Sequence, residues 1–171
     1  RGDISPGDTL VEATAGNTGI GLALVAAQKG YKLILVLPDQ MSQETVFNLR
    51  AMGADVILTR SDVGKGQPEY FQDLGQRIAE GQGACVFNQV GHPDNARAHD
   101  PPTGPEILEQ AHGEVDAIVL GVGSSGTVSG LGKDRAENAP NVELILADPA
   151  GSILADYINK GEMGEGGSWL V

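Results

Sequence analysis

The segment Lys32-Leu33-Ile34-Leu35-Val36-Leu37 is a continuous apolar run of strand length, and a strand without polar alternation has to be covered on both faces. Strand-like runs recur at Thr9 to Ala13, Asp55 to Thr59, Ala84 to Gln89, Asp116 to Leu120 and Val142 to Ala147. Helical patterns separate them, at Thr18 to Lys29, Ser42 to Met52, about Pro68 to Glu80, Pro105 to about Ala111, Val128 to Ala139 and Gly151 to Lys160. Strands alternating with helices at this spacing specify an α/β fold with parallel strands and helices on both faces, because right-handed crossovers are nearly obligatory. The first helix is apolar almost all round, from Ile20 to Ala27, which predicts a buried helix ended by Gly30. Ser42 is placed to cap the second, with Glu44 in its first turn, and Pro68 to open the third. Gly91 to Pro105 has prolines and no periodicity, and reads as a loop crossing between domains.

Composition excludes several classes of partner. A net charge of -12 argues against nucleic acid and acidic membranes, both polyanions, so an anionic ligand must be held by local donors. No apolar run approaches the roughly 20 residues of a membrane helix, and Cys85, the one cysteine, reads as a buried strand residue. A cytoplasmic location is expected. The chain opens at Arg1 without a methionine and stops in the apolar run Trp169-Leu170-Val171, so it is expected to be a fragment, incomplete at both ends. His92, His99 and His112 lack metal-ligand spacing and read as turn or surface residues.

Two turns carry the chemistry. Glu12-Ala13-Thr14-Ala15-Gly16-Asn17-Thr18-Gly19 joins a strand to a helix, where unpaired N–H groups and the helix dipole favour a carboxylate or phosphate. A plain connection with Asn17 left-handed and Thr18 as N-cap is the alternative. Gly121-Val122-Gly123-Ser124-Ser125-Gly126-Thr127 follows a strand directly; its glycines allow close approach, its N–H groups form a nest, and Ser124, Ser125 and Thr127 add hydroxyls. Gly121, Gly123 and Gly126 also satisfy the dinucleotide fingerprint, with Asp148 about 20 residues on, which keeps an NAD-binding oxidoreductase open. A hydroxyl-rich turn preceded by four strands suits a terminal phosphate better. A cofactor with a phosphate at one end, reacting with a carboxylate-bearing substrate at the other, would use both turns, and that chemistry points to pyridoxal phosphate (PLP) and an amino-acid substrate.

Glu12 to Ala23 resembles the asparagine loop of the cysteine synthase and cystathionine β-synthase family. The likeness continues through Pro38-Asp39-Gln40-Met41-Ser42, Met52-Gly53-Ala54, Asn88-Gln89, Thr103-Gly104-Pro105-Glu106-Ile107, Gly123 to Thr127 and Asp148-Pro149-Ala150-Gly151-Ser152, across essentially the whole chain. Asp148 to Leu154 with Gly167 to Val171 looks more like the cystathionine β-synthase branch. The resemblance implies a tryptophan-synthase-β-like, fold type II PLP enzyme with two subdomains: residues 1–90 as the smaller domain, with about 33–77 as its mobile part, and 91–171 as part of the larger one. It implies β-replacement, in which L-serine or O-acetyl-L-serine loses its β-substituent and a thiol adds, and a homodimer. By resemblance, Asn17 would bond the PLP 3′-oxygen; Thr14, Ala15, Thr18 and Gln89 would bind the substrate carboxylate; and Gly123, Ser124, Ser125, Gly126 and Thr127 would hold the cofactor phosphate.

The sequence departs from the family at several points. The family's Schiff-base lysine would fall upstream of Arg1, and Lys29, Lys32, Lys65, Lys133 and Lys160 lie outside its motif, so no catalytic residue is expected in this chain and no turnover from it alone. Ala13 and Ala15 stand where Pro and Ser are usual, leaving only a backbone N–H at Ala15 for the carboxylate. Lys133-Asp134-Arg135 places charges where apolar residues are expected. A non-catalytic relative that binds PLP or an amino acid is a further alternative.

Overall fold

The computed structural model describes residues 4–162 and 164; Arg1 and the Gly167 to Val171 segment lie outside the described residues. The chain divides into two compact units, Arg1–Gln89 and Val90–Val171.

In the first unit the order is β1 (Thr9–Ala13), α1 (Asn17–Lys29), β2 (Lys32–Pro38), α2 (Gln43–Ala51), β3 (Asp55–Thr59), α3 (Phe71–Gln82) and β4 (Cys85–Val86). The strands form one parallel sheet in the order β3-β2-β1-β4. Helices cover both faces, as the apolar β2 demands: Leu33, Leu35 and Leu37 face Ala23, Ala26, Val46 and Leu49 of α1 and α2, while Val11 and Ile34 face Ala79 of α3. Leu35 and Val36 have no exposed surface. Ser42 caps α2, its hydroxyl accepting from the Thr45 N–H.

Three local expectations are corrected. Helix α1 buries only Gly19, Ala23 and Ala26, a strip of small residues that lets it lie close on the sheet, and its outer Leu24 is 62% exposed. Helix α3 starts at Phe71, not Pro68, because Pro68 to Tyr70 complete a turn in which the Thr59 hydroxyl donates to the Glu69 carbonyl at 2.6 Å. Strand β4 has two residues and pairs with β1 alone among the described residues, so Cys85 lies exposed at an edge.

The second unit contains α4 (Asp94–Arg97), α5 (Thr103–Gln110), β5 (Ala117–Leu120), α6 (Gly126–Asn138), β6 (Glu143–Leu146) and α7 (Leu154–Lys160). Strands β5 and β6 pair in parallel, Val119 opposite Ile145. Ile118, Leu120, Leu144 and Leu146 are half-buried, whereas Val119 is 64% exposed, so this sheet is covered on one face only. The Gly91 to Pro105 segment is not all loop: it holds α4 and the start of α5. The charges at 133–135 each find a place. Lys133 pairs with Asp100 at 2.5 Å, buried Asp134 accepts from the Asn138 amide at 2.7 Å, and Arg135 donates to the carbonyls of Val142 and Pro140.

Candidate functional site

In the first unit, β1 delivers the chain into the Thr14 to Gly19 turn. The Thr14 N–H extends the ladder to the Val36 carbonyl at 3.1 Å, and its hydroxyl then accepts from the Gly16 N–H at 3.1 Å, folding the turn back on itself. Gly16 is the N-cap of α1, with no side-chain cap, and Asn17 is the exposed first helical residue. The plain-connection reading, with Asn17 left-handed and Thr18 as cap, is therefore corrected. What the turn presents is an uncapped helix N-terminus lined by Ala15, Asn17 and Thr18, whose first-turn N–H groups are the donors an anion uses. Gly19 is needed where it stands, since a Cβ there would lie 3.0 Å from the Thr14 methyl.

Gln89 joins this turn from 71 residues away, with its Oε1 accepting from the Thr18 hydroxyl at 3.4 Å. The structure thus brings together Thr14, Ala15, Asn17, Thr18 and Gln89 within one unit. It also reveals a residue that the sequence reading quoted without assigning it a role. Glu12 is 4% exposed, and its carboxylate accepts the N–H groups of Asn88 at 2.7 Å and Gln89 at 3.3 Å. Burial raises its carboxyl above the ordinary carboxylate range, against the two backbone hydrogen bonds that pull the other way. A charge inside a strand-like run was the available signal.

In the second unit, Gly123 to Thr127 forms the turn between β5 and α6. Ser125 is the N-cap at φ +68, in the left-handed region, with no side-chain cap on the helix. That conformation turns successive N–H groups to one side, the nest geometry that suits a phosphate. Nothing lies within 4 Å of a Cβ built at Gly123, so the mouth of the nest is open. The donor set is backbone N–H and the hydroxyls of Ser124, Ser125 and Thr127, with no carboxylate in the turn, and it fits a phosphate group. Two supports come from the segment read as loop. The Asn95 amide donates to the Ser124 hydroxyl at 3.0 Å, and the His99 ring bridges Thr103 at 3.0 Å and Thr127 at 3.2 Å. They are held there by close contact, since a Cβ at Gly126 would come within 2.0 Å of Asn95 Oδ1 and one at Gly130 within 2.6 Å of His99 Cβ.

The lysines stand elsewhere. Lys29 is in the last turn of α1, about 18 Å along the helix from Asn17 at 1.5 Å per residue; Lys32 opens β2, and Lys65 lies in an exposed loop. In the second unit Lys133 is bonded to Asp100 and Lys160 to Asp156. Asp148, the acidic residue of the dinucleotide reading, accepts the Ala155 N–H at 2.9 Å and is engaged in its own loop. No group of His, Cys, Asp and Glu able to hold a metal occurs among the described residues.

Comparison with known proteins agrees with this chemistry. Cystathionine beta-synthase of Dictyostelium discoideum is 44% identical over 155 residues, 90% of this chain and 31% of that protein. Cysteine synthase of Staphylococcus aureus is 44% identical over 154 residues, 89% of this chain and 48% of that protein. The crystal structure of O-ureido-L-serine synthase superposes with a TM-score of 0.81 at 32% identity, over 95% of this chain and 50% of that one, in keeping with the fold type II architecture. The chain therefore spans between about a third and half the length of these relatives. The model of the family described as pyridoxal-phosphate dependent enzyme matches residues 1–165, which displaces the nicotinamide reading, and the chain belongs to that family.

Proposed function

We propose that this protein uses PLP to replace the β-substituent of L-serine or O-acetyl-L-serine with a thiol, giving cystathionine from homocysteine or cysteine from sulfide. The observation that carries the proposal is the Gly123 to Thr127 nest: an uncapped α6 N-terminus with Ser125 left-handed and hydroxyls at three positions, inside a chain of PLP-enzyme family. The substrate assignment is supported by the likeness to cystathionine beta-synthase and cysteine synthase. Because the chain spans at most half the length of those relatives, the activity is assigned to the complete protein.

When bound, PLP supplies the electron sink that makes the α-proton of an amino acid acidic and lets the β-substituent leave. The residues of this chain hold and orient. Gly123 to Thr127 hold the phosphate through N–H and hydroxyl donors without a cation, relying on the helix dipole. Asn17, at the head of α1, bonds the 3′-oxygen of the pyridine ring. The substrate carboxylate is gripped by the N–H of Ala15, by Thr14 and Thr18, and by the Gln89 amide. The lysine that joins the cofactor and moves the α-proton is assigned to a segment outside these 171 residues, so the chain alone is expected not to turn over. Residues 33–77 are proposed to move over the substrate and exclude water. The same reading, from the family resemblance, makes the protein a cytoplasmic homodimer acting on small molecules. Among the described residues no helix is long and apolar enough to cross a membrane.

The test is to supply the complete protein, loaded with PLP, with each pairing of L-serine or O-acetyl-L-serine with sulfide or homocysteine, and to identify products by mass. Cysteine or cystathionine forming only with PLP present is the expected result. A protein that binds PLP stoichiometrically and gives neither product from any pairing would sink the proposal.

A further inference from the structure

Glu12 lies in β1 between Val11 and Ala13, at the register opposite Leu35, and is 4% exposed. A carboxylate at an inward strand position is costly to bury and needs a specific use. Its surroundings supply one. Beyond Val86 the chain leaves the sheet: the Phe87 N–H still donates to the Val11 carbonyl at 3.0 Å, but Asn88 takes φ +50 and the main chain turns away from the ladder. The next two N–H groups are received by the side chain of Glu12, Asn88 at Oε2 and Gln89 at Oε1. The residue so anchored, Gln89, accepts at its own Oε1 from the Thr18 hydroxyl at the head of α1.

We infer that Glu12 is a positioning residue for the amino-acid site: its two carboxylate oxygens fix the backbone of Asn88 and Gln89 so that the Gln89 amide stays against Thr18. The inference rests on the reading that Gln89 and the Thr14 to Gly19 turn grip the substrate carboxylate. An ionised carboxylate suits the task because it offers two separate acceptors and no donor. Glutamine would turn an NH2 toward one of the two N–H groups, and an apolar residue would orphan both. Aspartate keeps the charge but is one methylene shorter, so it can serve one N–H in place of two.

The experiment uses the complete protein loaded with PLP, titrated with L-serine, or with O-acetyl-L-serine where L-serine gives no change, while the cofactor absorption is followed. Kd is measured for wild type, Glu12→Gln, Gln89→Ala and the double variant. Because Glu12 acts through Gln89, each single change is expected to raise Kd about tenfold, and the double variant to bind no more weakly than Gln89→Ala alone. Independent effects that multiply, or a Glu12→Gln variant with Kd within about twofold of wild type and only a lower melting temperature, overturn the inference, the latter leaving Glu12 a merely structural residue. Should Glu12→Gln fail to fold, Glu12→Asp takes its place in the same cycle and the same two patterns decide. A wild-type protein that holds PLP but responds to neither L-serine nor O-acetyl-L-serine overturns the functional reading and the inference with it, whereas a responsive wild type with a multiplicative cycle removes Glu12 alone.

Discussion

At the scale of single residues, the nest and the buried carboxylate make opposite demands on their surroundings. Thr127 contributes a hydroxyl oriented by the His99 ring at 3.2 Å. A hydrogen bond to a charged phosphate contributes about 1.5–3 kcal/mol. In the complete protein Thr127→Val should therefore weaken PLP retention roughly ten- to hundredfold, read from cofactor absorbance after dialysis; unchanged retention would remove Thr127 from the phosphate grip. Glu12 gives a prediction of a different kind. Burial raises its carboxyl above the ordinary value of 4.5, so the folded state holds that proton more tightly than the unfolded chain does. Its contribution to stability is then full below the unfolded value and is lost as pH rises through the raised folded value. Glutamine does not titrate, so as pH rises from the ordinary value of 4.5 the stability of Glu12→Gln should gain on wild type, measured by urea midpoints; a gap that stays constant with pH would contradict the raised carboxyl. The glycines and hydroxyls of the nest could be read from the sequence because they sit in a local pattern behind a strand. Asn95 and His99 could not, because their partners Ser124 and Thr127 lie 29 and 28 residues away, and nothing local marks a contact of that range.

At the scale of elements, the α4 segment acts as the brace of the nest. Gly130, on the helix face one turn beyond Gly126, meets Ala96 and His99 so closely that an added Cβ would lie 2.7 Å from the Ala96 carbonyl oxygen and 2.6 Å from His99 Cβ. Backbone cannot yield as a flexible side chain can. Gly130→Ala should cost about 1–3 kcal/mol and lower the melting temperature of the complete protein by several degrees, and it should loosen PLP because Asn95 and His99 move with α4; a variant with wild-type melting and retention would show that the brace is soft. This brace explains why a segment without periodicity is ordered: a helix of four residues is too short to show a repeat, and its place is set by the glycines of α6. The strands of the first unit were legible because continuous apolar runs leave few alternatives. For α1 the same logic misled, because an apolar residue on every side does not say which side is covered. The small residues Gly19, Ala23 and Ala26, spaced at helical intervals, mark the covered strip, and Leu24 and Val25 lie outside it.

Across the whole molecule the two units differ in how completely their sheets are covered, and stability should follow that difference. In the first unit β2 is paired on both edges and covered on both faces, with Leu35 and Val36 fully buried. In the second, β5 and β6 form a two-stranded sheet whose Val119 and Ile145 are 64% and 43% exposed, directly opposite one another. Two strands with one bare apolar face bury too little surface to resist local opening. Amide exchange of the 171-residue chain should therefore be slowest at Leu35 and Val36 and faster, by orders of magnitude, at Val119 and Ile145. This would follow even though all four residues are apolar members of parallel strands. The sequence reading gave both sheets the same covering, because strand composition reports what a strand can bury and not how much surface is present to bury it. If the β5–β6 amides exchange as slowly as those of β2, the two units open together, and the uncovered face costs the second unit nothing measurable. If they exchange faster as expected, the phosphate nest, built on the turn that leaves β5, sits on the less stable unit. PLP bound as proposed at Gly123 to Thr127 should then slow exchange in β5 far more than in β2, since a ligand stabilises the element that closes around it.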